Sequence, residues 1–149
     1  MLPPYLAGNR HGAAALRTID ADAQNVRSEE ETVNEAIERY IACWNQTDPG
    51  LRRKLIDETW AADASYTDPF GEAIGREAID ATIAAVQEQF PGLSFTLLGS
   101  VDSHHRQARF TWGMGPGGVE PVVVGFDVAV ADDDGRLATV LGFLDKVPG

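Results

Sequence analysis

Cys43 is the only cysteine in 149 residues. One thiol cannot close an intrachain disulfide or build a multi-cysteine zinc site, so neither an oxidising compartment nor a structural metal is implied. Positive charge is scarce as well: 12 Lys and Arg against 23 Asp and Glu leave a net charge of −11. Such a surface repels phosphate backbones and anionic lipid, which argues against nucleic-acid and membrane partners. No run approaches the ~18 apolar residues of a membrane span, and the N-terminus lacks the basic-then-apolar layout of a secretion signal. The expected location is the cytoplasm. Of the three histidines, His104 and His105 are adjacent, so their side chains diverge and chelate poorly. No metal site and no cofactor motif is read. GMGPGG at 113–118 has the glycines of a phosphate loop but no lysine and no following helix. Asp132, Asp133 and Asp134 before Gly135 lack calcium-loop spacing and read as a hairpin turn.

What the chain does have is enough apolar material, 44%, for one packed domain. Residues 1–28 show no sustained period beyond a short helix in AAALRTIDADAQ and read as an N-terminal extension, leaving 29–149 as the domain. Ser28 with Glu31 three residues on is a capping-box pattern, and Val33, Ile37, Tyr40, Ile41 and Trp44 then recur at helical spacing to about residue 46. Asp48-Pro49 opens a second helix to near Asp63, with Leu51, Leu55 and Trp60 inward. ASYTDP is extended, because Pro69 disfavours helical geometry at Asp68. A third helix, 75–90, aligns Ile79, Ile83, Val86 and Phe90. After it the period changes to two, and LSFTLLGSV, RQARFTWGM, EPVVVGFDVAVA and RLATVLGFLD read as four antiparallel strands. Helices first and a long sheet last predict an α+β domain, a curved sheet wrapped over helices with a cavity open at one end.

The third of those strands carries an acid at its centre. Alternation places Val123, Gly125, Asp127, Ala129 and Ala131 on one face and Val122, Val124, Phe126, Val128 and Val130 on the other. The first face is small enough to leave volume around Asp127, as a ligand pocket would. A carboxylate in such surroundings tends to hold its proton and donate a hydrogen bond. The second face is too apolar to stay wet, and with the helices on the other side its natural cover is a second copy, a homodimer.

Read together, ERYIACW, ASYTDPFG and GFDVAVADDDGRL resemble the ketosteroid isomerase branch of the NTF2-like, or SnoaL-like, superfamily over about residues 30–147. The resemblance implies a cone-shaped, cystatin-like α+β fold, with three N-terminal helices packed on a curved, mostly antiparallel sheet around a deep pocket. It implies Tyr40 as an oxyanion-hole tyrosine, Asp68 as general base and Asp127 as a protonated oxyanion-hole acid. An enolate oxygen requires such prearranged donors in a dry site, and ketosteroid isomerase is itself the familiar case of two carboxyls held in opposite protonation states. The positions of a supporting tyrosine network carry Trp60 and Ile83, and a pocket tryptophan of some members is Leu144; Trp60, Phe110, Trp112 and Phe143 are the aromatic candidates for the substrate wall. In polyketide-cyclase members an aspartate on this sheet serves instead as base for aldol closure, a role open to Asp127. Limonene-epoxide-hydrolase chemistry is set aside, since Asp68 stands where its asparagine belongs and no Arg-x-Asp strand is present. The expected activity is cofactor-free proton transfer on a small hydrophobic carbonyl compound; the alternative is a pocket that binds such a ligand without turnover.

Overall fold

A computed structural model of the chain describes residues 28–148. The short helix read in AAALRTIDADAQ and the extension before Ser28 lie outside the described residues. Helix α1 (Glu29–Asn45) starts where the capping pattern predicts: the Ser28 hydroxyl accepts from the Glu31 amide at 3.1 Å, and three glutamates in the first turn face the positive end of the helix dipole. Its buried stripe includes Val33, Ile37, Tyr40 and Trp44.

Helix α2 (Pro49–Thr59) is capped by Asp48, which accepts from the Leu51 amide at 2.8 Å. It departs from the sequence expectation in two ways. The helix stops at Thr59 rather than near Asp63, and Leu51 is 57% exposed, while Arg52, Ile56 and Thr59 face inward. Arg52 turns in because α3 (Arg76–Gln89) supplies its partners: Asp80 accepts from Nε at 2.6 Å and Gln87 from Nη1 at 2.9 Å. A buried guanidinium is tolerable only when paired in this way, and local periodicity cannot see a partner 28 residues away. Trp60 is buried as predicted, but as the first residue of strand β1 (Trp60–Asp68).

Strand β2 (Gly71–Ile74), too short to leave a periodic signal in the sequence, folds back on β1 across the Asp68-Pro69 turn. The four predicted strands are β3 (Ser94–His104), β4 (Gln107–Gly115), β5 (Val123–Ala131) and β6 (Leu137–Lys146). The six strands form one sheet in the order β2-β1-β6-β5-β4-β3, antiparallel throughout except that β1 lies parallel to β6. That one crossover brings Asp68, at the end of β1, beside the strand that pairs with Asp127. Register shifts in β3 between Leu98 and Asp102 and in β5 at both ends are bulges of the kind that bend a sheet. Among the described residues, three helices pack against this mixed sheet in an α+β fold. Along β5, Val123, Gly125, Asp127, Ala129 and Ala131 are buried, while Val124, Phe126, Val128 and Val130, with Val122 just before the strand, are half-buried or exposed. No helix among the described residues is long and apolar enough to cross a membrane.

Candidate active site

Tyr40 and Asp127 meet at the bottom of a cavity of about 440 Å³. The Tyr40 hydroxyl donates to Asp127 Oδ2 at 2.5 Å, and both residues are 1% exposed. The other carboxyl oxygen, Oδ1, is buried and has no hydrogen-bond partner. Burial pushes the Asp127 carboxyl up to about 6 and the charge of Asp68 adds to the rise; the Tyr40 hydroxyl and the indole N–H of Trp112 hold it back. The Trp112 N–H acts there through its nearness and not through an aligned hydrogen bond, since Oδ1 stays unpartnered. The Tyr40 hydroxyl is pushed well above the ordinary tyrosine value, by burial first and then by the neighbouring Asp127, so it stays protonated and remains a donor.

Asp68 lies nearer the mouth and is half-buried. Its carboxylate accepts three hydrogen bonds: Oδ1 accepts from the Phe70 amide at 2.8 Å and the Gly71 amide at 3.2 Å, and Oδ2 accepts from the Tyr66 hydroxyl at 2.9 Å. The first two bonds close the turn into β2. Sequence reasoning misses Tyr66 as a site residue, although strand alternation puts it on the same face as Asp68. Its own hydroxyl is driven upward by burial and by the charges of Asp127 and Asp68.

The space near Asp127 has a different origin from the one the sequence suggests. Gly125 leaves no void: the Trp112 indole lies over it, so that an added Cβ would fall 2.1 Å from the ring. Ala129 and Ala131 are packed in the core. Room comes from Gly142, the β6 residue paired with Asp127, where an added Cβ would stand 3.0 Å from Asp127 Oδ1 and 3.5 Å from Cβ of Asp68. Both carboxyl-bearing residues thus border one point. This depends on strand register, which single-strand alternation does not reveal.

The four aromatic wall candidates divide into two pairs. Trp112 and Phe143 line the cavity, Phe143 at the mouth with 56% exposure. Trp60 and Phe110 do not; they stand behind Tyr40, each with its ring centre 5.6 Å from the Tyr40 ring. Where a tyrosine network would supply hydroxyls, Trp60 therefore offers Tyr40 only ring packing. Trp44, Tyr66 and Phe95 complete the inner wall, and Phe70 and Phe90 the outer, so that eight of the 19 lining residues are aromatic. A flat, apolar ligand is what such walls accept best.

Among the described residues no three His, Cys, Asp or Glu side chains converge as metal ligands. Cys43 is buried on α1 beside Thr59, and burial pushes its thiol up to about 11, unsuited to nucleophilic work.

Residues 37–140 match the SnoaL-like domain. No curated protein matches the chain. Among solved structures, a SnoaL-like family protein of Agrobacterium tumefaciens, provisionally named an isomerase, is 36% identical and superposes with a TM-score of 0.72, covering 77% of this chain and 98% of its own. A protein of Jannaschia provisionally named a SnoaL-like polyketide cyclase is 20% identical, with a TM-score of 0.65 over 82% of this chain and 91% of its own. An epoxide hydrolase of the limonene-epoxide-hydrolase-like type from M. tuberculosis is 15% identical, with a TM-score of 0.58 over 80% and 82%. The last two likenesses concern the fold alone.

Proposed function

Because the chain belongs to the SnoaL-like domain family, we propose that it is a cofactor-independent cytoplasmic enzyme that moves a proton on a small hydrophobic carbonyl compound, with chemistry of the polyketide cyclase or ketosteroid isomerase type. The observation that carries this reading is Asp127 Oδ1, a carboxyl oxygen without a partner at the bottom of an aromatic cavity. With its acidity shifted to about 6, Asp127 is still ionised at neutral pH yet more basic than an ordinary aspartate, as a general base should be. Oδ1 takes the proton from the carbon beside the carbonyl. The C–H electrons form the enolate double bond, and the carbonyl pair moves onto oxygen. Tyr40, donating to Oδ2, fixes the carboxylate so that Oδ1 faces the reacting carbon. With a β,γ-unsaturated ketone, Asp127 then returns the proton to the γ-carbon of the dienolate; with a diketone, the enolate carbon bonds to the second carbonyl carbon, whose C=O pair moves onto oxygen and takes the proton from Asp127.

A second reading keeps Asp68 as base, with Asp127 protonated on Oδ1 and donating to the enolate oxygen. It is favoured by the way Asp68 and Asp127 border one point over Gly142. The first reading is preferred because Asp68 already accepts three hydrogen bonds, whereas Oδ1 of Asp127 accepts none.

The test is turnover of β,γ-unsaturated ketones and polyketide-like diketones by wild type, Asp127→Asn and Asp68→Asn. Asp127→Asn should lose about 10²–10⁴-fold in kcat/KM and Asp68→Asn about tenfold or less, with the wild-type rate rising with pH through about 6. The reverse ranking would assign the base to Asp68. Binding without turnover by any of the three proteins leaves a ligand-binding pocket. The apolar outer face of β5 fits a two-fold contact with a second copy. Light scattering should find a dimer for wild type and a monomer for Val124→Lys; a wild-type monomer ends that part of the reading.

A further inference from the structure

The charges around the cavity are all of one sign. Asp68 and Asp127 line it, and no Lys, Arg or His is among the lining residues. Gly142 faces Oδ1 of Asp127 and the Cβ of Asp68, no cation stands between these two acids, which repel each other, and Oδ1 of Asp127 is buried without a hydrogen-bond partner. The group that satisfies both is a positively charged hydrogen-bond donor brought by the ligand. The surrounding walls suit the same group. Trp44, Tyr66, Phe95 and Trp112 line the cavity, and the negative quadrupole of an aromatic ring face attracts a cation and repels an anion. At −11 the whole molecule attracts cations over longer range.

We propose that the cavity takes a hydrophobic ammonium ligand, an aromatic or polycyclic amine whose nitrogen sits over Gly142 between Asp127 and Asp68, and that it rejects carboxylate ligands of the same shape. The preference concerns binding and stands whether or not the pocket turns a neutral carbonyl compound over. If turnover does occur, a carbonyl substrate bearing a protonated amine is favoured over its neutral or acidic analogues.

The groups that face Asp127 define how pH enters. Helix α1 brings Tyr40, β1 brings Tyr66 and Asp68, β4 brings Phe110 and the Trp112 indole, and β6 brings Gly142. Within this set Asp127 is the group whose charge sets the pH response. An ammonium ligand needs Asp127 ionised, so its affinity falls as pH drops through about 6. A neutral ligand is indifferent to that change.

The experiment is calorimetric binding to the full chain of three isosteres, 2-naphthylmethylamine, 2-naphthylmethanol and 2-naphthoate. At pH about 7.5 the amine should bind roughly tenfold or more tightly than the alcohol, and the naphthoate most weakly. Lowering the pH to about 5 should remove most of the amine's advantage and leave the alcohol unchanged, a readout on wild type that needs no variant. Asp127→Asn should abolish the advantage at both pH values, and Asp68→Asn should reduce it. Naphthoate binding as tightly as the amine, an amine advantage that survives in Asp127→Asn, or failure of all three probes to bind at millimolar concentration would overturn the proposal. Ketone turnover without an ammonium preference would leave the proton-transfer reading standing alone, and an ammonium preference without turnover would leave the binding proposal standing alone.

Discussion

The two ends of the cavity hold the same side chain in opposite circumstances. At the floor, Asp127 is buried with one oxygen bonded and one bare. At the mouth, Asp68 is half-buried with three donors on its two oxygens. A carboxylate in the second setting does structural work: it closes the turn between β1 and β2 and anchors Tyr66. In the first setting it costs stability, since an ion is taken out of water for one hydrogen bond. Folds keep such costs where function needs them. The contrast therefore separates two aspartates that look alike in sequence, and substitutions at either end can break it.

The largest effect on stability belongs to the floor. Asp127 is held near 6 in the folded chain against an ordinary value of 3.8. Between those two values the folded state holds the proton more readily than the unfolded one, so folding stability falls as pH rises through this window and stays reduced above it. Below it both states are protonated and the cost vanishes. In thermal or urea unfolding, Asp127→Asn should therefore gain on wild type by roughly 2–3 kcal/mol as the pH rises from about 4 to about 8. A difference that stays flat with pH would show that Asp127 is not a strained ion, and the contrast between the two ends would collapse.

A middle-sized effect comes from Gly125→Ala. The new methyl would lie where the Trp112 indole now rests, so the ring must move. Overpacking of this kind costs about 1–3 kcal/mol, and the displaced N–H no longer restrains the Asp127 acidity. The midpoint of the pH–rate profile should then move upward from about 6. Loss of stability with an unmoved midpoint would confine Trp112 to the wall.

Much of this contrast is legible in residue order. Tyr40 on an apolar helix stripe, Asp68 before a proline and Asp127 in an alternating strand each carry a local signal, as do the helix caps at Ser28 and Asp48. The helices, the four-strand meander and the buried face of β5 follow from the same local periods. What local pattern cannot show depends on partners distant in the chain. Arg52 is buried because Asp80 and Gln87 meet it, and Gly142 makes room because strand register sets it opposite Asp127. Trp60 and Phe110 look like substrate wall in the sequence because both are aromatic and inward; only the packing shows that Tyr40 stands between them and the cavity. Small residues on β5 suggest empty space, whereas Trp112 from the neighbouring strand fills the place beside Gly125. Composition reports how much volume a face lacks, not who supplies it.

The smallest expected effect on stability, and the sharpest control, is Asp68→Asn. Asparagine keeps a side-chain oxygen able to accept from the Phe70 and Gly71 amides, so the turn into β2 retains its closure. The oxygen that accepts from Tyr66 becomes an amide nitrogen, and the Tyr66 hydroxyl can rotate from donor to acceptor without moving its ring. Half-buried at the mouth, the site can also draw on water. The cost should stay below about 1 kcal/mol. Removing the Asp68 charge also takes away one of the influences that raise Asp127, so the pH–rate midpoint should shift slightly downward, opposite to Gly125→Ala. Urea unfolding and the pH profile together check both signs. A loss of several kcal/mol, or a midpoint that moves up, would mean that Asp68 and Asp127 act as one coupled pair and not as a structural acid and a working one.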